Sequence, residues 1–386
     1  MLFFALGFIS TLPSTYVYAI LGILSVLTLT NILRAKFSPK HSLLGLVVTY
    51  ALFCTATSVG LVYDQPEAWR YFLRALFASL IVFFYITSLK PIDEISYNSW
   101  LLGALAGIIV NSIAVVFFSL MPETYQAWRI NEFSGYDKGA RFLRSPGLQT
   151  GTDTAGYLAV IGVVLRFYLR QKGVASLLLS RVFFYVLLLT PIFCSRSAML
   201  LSAIMLGPVL LVWRRLIPAA DKAIFMFFIL AFSGVALSLI ALLLFPESVS
   251  FLSVATEIVP GVRVDAIYAV SDGGSYVDQY SFRHLFSVIP VGDPFLYDNE
   301  VGKLLASTGV VGFGAGMLVL IYIIVGLAMS APRGEKAFVF FLIFIYIFAN
   351  IKNSYLFYSF FVSMISVLFC RVQRCPKTLG SVTVRL

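Results

Sequence analysis

Arg196 stands in FCSRSAML, residues 193–200, between two apolar runs, VFFYVLLLTPIFC and MLLSAIMLGPVLLVW. A guanidinium in such a place either snorkels to a membrane–water boundary or is held by an anion. It has company. Arg129, Arg141 and Arg144 lie in the segment 122–153, and Arg263, Arg283 and His284 in the segment 246–300. The chemistry these residues share is recognition of phosphate. The planar guanidinium fork donates two parallel hydrogen bonds and stays charged. The stretch QTGTDTAG (149–156) leads into another apolar run, where backbone N–H groups at a helix start can also meet an anion. Asp298, Glu300 and His284 are groups able to take a proton from a hydroxyl. The two acids equally suit capping a helix that begins near Val301, and His284 equally suits an exposed loop.

The elements that must position these residues are apolar. Of 386 residues, 60% are hydrophobic and 12% charged, too few charges to cover a soluble protein of this length. A spanning helix takes about 20 apolar residues. Such runs lie near 15–33, 41–62, 71–89, 98–121, 154–170, 181–195, 197–213, 223–245, 301–329, 337–350 and 354–370, and residues 1–12 add a possible half-helix. The expected fold is an all-α polytopic integral membrane protein of about 11 (10–12) transmembrane helices, one membrane domain over 1–386. The net charge of +10 is concentrated in short connections: RAKFSPKH (34–41), Arg166 through Arg170 and Lys172 to Arg181, RRLIPAADK (214–222), PRGEK (332–336) and the tail with Arg371, Arg374, Lys377 and Arg385. If these face the cytoplasm, the spans alternate without violation. The loop 122–153 and the large loop or lid 246–300 then both face the other side of the membrane. The second holds eight acids, Glu247, Glu257, Asp265, Asp272, Asp278, Asp293, Asp298 and Glu300, against Arg263 and Arg283.

Several function classes lack their signature. No basic patch with interleaved aromatics stands outside the apolar runs, so no nucleic-acid partner is expected. Cys54, Cys194, Cys370 and Cys375 have no zinc spacing, and His41 and His284 are far apart, so neither metal nor other cofactor is expected. There is no P-loop. The glycines of GVVGFGAG (309–316) lie inside an apolar run, where small residues permit close helix packing. The apolar N-terminus has no basic n-region and does not read as a cleaved signal peptide. Nucleotides are scarce outside the cytoplasmic membrane, whereas a lipid pyrophosphate carrying sugar is an abundant phosphate donor there.

FCSRSAML resembles the Ser-Arg-small element of the O-antigen polymerase and ligase superfamily. YDNEVGKLLASTGVVGFGAG (297–316) resembles its second signature, an Asp-Asn or His-Asn pair followed by a helix with a Gly-x-x-Gly turn. SPGLQTGTDTAGYLAV (145–160) is similar to its third, a loop-to-helix junction. The resemblance implies a metal-independent glycosyltransferase of the GT-C type that moves a glycan from undecaprenyl pyrophosphate to an acceptor hydroxyl at the periplasmic face of the bacterial inner membrane. Arg263 and Gly274 match the R-x10-G pattern of the polymerase branch, whereas Arg144 and Gly156 miss it by one residue. The ligase branch typically has His-Asn at the second signature. Asp298-Asn299 departs from it and favours a polymerase.

That reading makes donor and acceptor undecaprenyl-pyrophosphate-linked oligosaccharides. The bilayer surrounds the chain, and a chain-length regulator is a further partner to consider. Arg196, Arg263, Arg283, Arg144 and Arg141 would stabilise charge growing on the departing diphosphate. One such contact is worth about 3–4 kcal/mol, or roughly 10²–10³ in rate. Asp298, Glu300 or His284 would take the acceptor proton. Two alternatives stay open: an O-antigen ligase transferring glycan to lipid A-core, and a lipid-linked oligosaccharide flippase or other transporter. A transporter would show buried charges in both halves and an internal repeat, which the chain does not obviously have.

Overall fold

The protein is described by a computed structural model over residues 1–13, 92–121, 145–149, 151–244, 331–332, 334–352 and 358–372, with short pieces at 16–17, 19–20, 23, 76–78, 80–82, 84–85, 314, 317, 321 and 324–329. Arg196 is described for its backbone alone. Among the described residues the fold is all-α with no strand, as expected: α1 (Leu2–Ser10), α2 (Glu94–Leu120), α3 (Thr152–Gln171), a short 3-10 turn (Leu177–Leu179), α4 (Arg181–Cys194), α5 (Arg196–Trp213), α6 (Ala219–Leu244), α7 (Lys336–Lys352) and α8 (Ser359–Val372). The long apolar helices α2, of 27 residues, and α3, of 20, are long and apolar enough to cross a membrane. The expected spans near 15–33, 41–62, 71–89 and 301–329 lie wholly or largely outside the described residues.

Helix boundaries follow local capping rather than the edge of the apolar run. α2 begins four residues before the run because Asp93 caps it, its Oδ1 accepting from Ser96 N at 3.2 Å. α6 likewise begins early, at Ala219, directly after Pro218, whose carbonyl accepts from Asp221 N and Lys222 N at 3.0 and 3.1 Å. α8 begins later than the expected 354, at Ser359.

α3 is the hub. It packs against α2, α4, α5 and α7 and is buried along most of its length. α1 lies on α2 through small residues: a Cβ at Gly103 would strike the Phe4 carbonyl, and one at Gly107 the Thr11 hydroxyl. GALAG (103–107) is thus a close-packing G-x-x-x-G element that the sequence reading did not single out. The expected packing role of GVVGFGAG falls on a stretch of which only Gly314 is described; among the described residues no atom lies within 4 Å of a Cβ built there, while Gly309, Gly312 and Gly316 lie outside the described residues.

One end of the bundle is ionic. Lys172 Nζ, just past the end of α3, reaches Glu335 Oε1 at 2.9 Å and Glu94 Oε1 at 3.3 Å. Arg371 Nη2 near the end of α8 lies 3.5 Å from Glu94 and 3.6 Å from Glu335. Burial pulls the Lys172 ammonium toward its neutral form, but the carboxylates of Glu335 and Glu94 outweigh it and hold its pKa above the ordinary lysine value. Arg181 Nε pairs with Asp221 Oδ2 at 3.2 Å, and Trp213 Nε1 donates to Gln171 Oε1 at 2.7 Å. The connections 172–181 and 214–219 therefore share this end with Glu335 and Arg371.

Arg166 corrects the sequence reading. The sequence reading counts it both in the run 154–170 and among the basic connections; it is a residue of α3, buried to 1% exposure. Its guanidinium lies 4.3 Å from the Phe184 ring centroid and 5.3 Å from that of Phe167. A desolvated cation over an aromatic face gains about 2 kcal/mol. Its Nε and Nη2 have no hydrogen-bond partner among the described residues.

Candidate functional site

The end opposite the ionic cluster holds Arg196. α4 contains Pro191, which has no N–H to give, and the chain is fully extended at Ser195, with φ −152° and ψ 159°. The Ser195 side chain then starts α5, its Oγ accepting from Ala198 N at 3.1 Å. The break expected at Arg196 therefore falls one residue earlier, and Arg196 is the first residue of α5. That position is electrostatically costly. The N-terminus of a helix carries about half a positive charge, and α5 has no acid in its first turn to offset it.

The compensating group comes from α3. Gly156 lets the two helices touch, since a Cβ there would overlap the Cβ of Ala198 and lie 3.2 Å from that of Cys194. Asp153, three residues earlier and on the same side of α3, meets the first turn of α5, where its Oδ1 accepts a hydrogen bond from Ser197 Oγ. Ser197 Oγ is in turn 3.0 Å from Ser195 Oγ. Asp153 is half-buried, and Ser195 is buried.

The loop before α3 locks onto the same place. Ser145 N donates to Phe193 O at 3.0 Å, and Cys194 Sγ points its proton at Ser145 O, 3.8 Å away. Gly147 turns the chain with φ +60°, where a side chain would also press on Asn111 O at 2.8 Å. Leu148 N donates to Asn111 Oδ1 at 2.8 Å. Gln149 joins two distant segments: its Nε2 donates to Thr11 O at 2.6 Å, and its Oε1 accepts from the Tyr358 hydroxyl at 2.8 Å, immediately before α8. The starts of α3, α5 and α8 thus gather at one end of the bundle. Their N–H groups make that end electropositive, with Asp153 the carboxylate built into the first turn of α3.

Of the residues expected to do chemistry, Arg196 alone lies among those described, and there by its backbone. Arg141, Arg144, Arg263, Arg283, His284, Asp298 and Glu300 lie outside. Ser145, next to Arg144, is held against the α4–α5 break. The helix start of QTGTDTAG does form, at Thr152, but its own Asp153 occupies the first turn, which weakens the case for an external anion at that helix. Sequence reasoning missed Asp153, Ser195, Ser197, Asn111 and Gln149. A signal existed for Asn111, a lone amide within an apolar run, and for the serines on either side of Arg196. No group of three or more His, Cys, Asp or Glu that could hold a metal occurs among the described residues. No protein-family model, curated protein or solved structure matches the chain.

Proposed function

We propose that this chain is a polytopic inner-membrane glycosyltransferase of about 11 spans that polymerises undecaprenyl-pyrophosphate-linked oligosaccharide repeat units, an O-antigen or related surface-polysaccharide polymerase. The observation that supports it best is Arg196 at the first position of α5. An arginine there adds a full positive charge to the positive helix start, which the single carboxylate of Asp153 offsets only in part, so a further anion delivered to that point would still be attracted. A diphosphate leaving group is such an anion, and its charge grows as the anomeric C–O bond breaks. Arg196 would bind and stabilise it, with Arg263, Arg283, Arg144 and Arg141 as further candidates from the two loops. Asp298, Glu300 or His284 would receive the acceptor proton. Membrane embedding is supported by apolar stripes facing outward, Val110, Ile113 and Phe117 on α2 and Phe227, Leu230 and Leu237 on α6, all exposed.

The test is genetic. Deleting the gene is expected to leave lipopolysaccharide core carrying one repeat unit. Bare core with accumulated lipid-linked polymer would instead identify a ligase, and unprocessed repeat units retained on the cytoplasmic side would identify a flippase.

A further inference from the structure

The hydrogen bonds around Arg196 have a direction that the geometry determines. Ser197 has one hydroxyl proton, and it goes to the Asp153 carboxylate, which can only accept. In the 3.0 Å contact between the two serines, Ser195 must therefore be the donor. The lone pairs of Ser195 Oγ are left to accept from Ala198 N at 3.1 Å. The chain runs one way, from Ala198 N through Ser195 and Ser197 to Asp153. Both residues flanking Arg196 are members of it. The far end is anchored on a different helix, and Gly156 sets the spacing by allowing α3 to touch Ala198.

We infer that Asp153 is a positioning residue for Arg196: acting through Ser197 and Ser195, it fixes the backbone from which Arg196 meets the pyrophosphate of the lipid-linked donor. This rests on the glycosyltransferase reading above. The role needs an acceptor oxygen at position 153 and does not need a titrating group. Asp153→Asn keeps such an oxygen, whereas Asp153→Ala removes it. Ser197→Ala cuts the same chain from the other side. A displacement of about 1 Å at a group that must match a transition state is worth about 10² in rate.

The experiment compares full-length variants in a deletion strain, reading polysaccharide chain length and amount per unit of membrane-inserted protein. Asp153→Ala and Ser197→Ala are each expected to lower polymer by about 10²-fold, while Asp153→Asn stays near the native level. Placed on Arg196→Lys, which retains charge but loses the fork, Asp153→Ala is expected to lower polymer no further, because both changes remove one interaction. A merely structural role would instead give additive losses, and that result overturns the inference. So does an Asp153→Asn protein as inactive as Asp153→Ala, which would mean that the charge itself is required. If Asp153→Ala does not accumulate, Ser197→Ala, a one-oxygen change, makes the same comparison. Arg196→Ala separates the two levels. Loss of polymer in Arg196→Ala with native polymer in Asp153→Ala overturns the positioning role alone. Native polymer in Arg196→Ala overturns the glycosyltransferase reading and the positioning role with it.

Discussion

Adding one methyl group at Gly156 perturbs the junction on which the candidate site depends. The new Cβ overlaps the Cβ of Ala198, and it also sits 3.2 Å from the Cβ of Cys194. Both obstacles are first side-chain atoms, so neither can swing away by a rotamer change. To restore ordinary carbon–carbon contact near 3.5–4.0 Å, α3 and α5 must separate. Overpacking of this kind costs about 1–3 kcal/mol. Two other glycines calibrate the effect. At Gly162 the new Cβ would lie 2.8 Å from Ile108 Cγ2 and from Leu187 Cδ2, the ends of side chains that can yield. At Gly207 nothing among the described residues lies within 4 Å, and alanine there should add up to about 1 kcal/mol through helix propensity. The expected order of thermal stability for the full-length protein in detergent is therefore Gly207→Ala at or above the native protein, Gly162→Ala somewhat below it and Gly156→Ala lowest. Polymer formation should fall most in Gly156→Ala, even at equal protein level. A Gly156→Ala protein as stable and active as Gly207→Ala would refute the close approach of α3 to α5, and with it the meeting of Asp153 and Ser197.

The remaining expectations are brief. Glu335→Gln removes the buried carboxylate facing Lys172 and Arg371 and should cost about 1–3 kcal/mol, whereas Glu94→Gln, on an exposed partner, should cost about 0–1 kcal/mol; equal midpoints in thermal unfolding would contradict that ranking. Reporter fusions at Gly135 and Gly273 are expected to report periplasm, and fusions at Lys172, Arg215 and the C-terminus cytoplasm. A cytoplasmic signal at Gly273 would put the proposed loop residues on the wrong side of the membrane.

Hydropathy alone was enough to find the helices of the described region, because apolar length is a local property of the chain. It located α3, α4 and α5 to within two residues at each end. It also placed Arg196 at a break between two apolar runs, since a charge flanked by such runs is legible without any partner. Two of the boundaries that slipped, at Glu94 and Ala219, depend on the cap Asp93 and on Pro218, which a span count does not weigh.

What the tertiary structure decided is which charges meet. Arg166 reads as one of a row of basic residues, yet it is buried over Phe184, eighteen residues away in sequence and on another helix. Glu335 reads as part of a weakly basic loop, yet it is the buried anion for Lys172, 163 positions distant. Asp153 reads as one polar residue in a run of threonines and glycines, yet it anchors the first turn of α5 from 44 residues away. Burial of a charge depends on every helix packed around it, and a one-dimensional pattern records only the neighbours along its own helix. The apolar pattern determined that the described chain is helical, with α2 and α3 long and apolar enough to cross a membrane. The close approaches permitted by Gly156, Gly103 and Gly107 decided how the helices sit together, and hence that Ser195, Ser197 and Asp153 meet at the break where Arg196 begins α5.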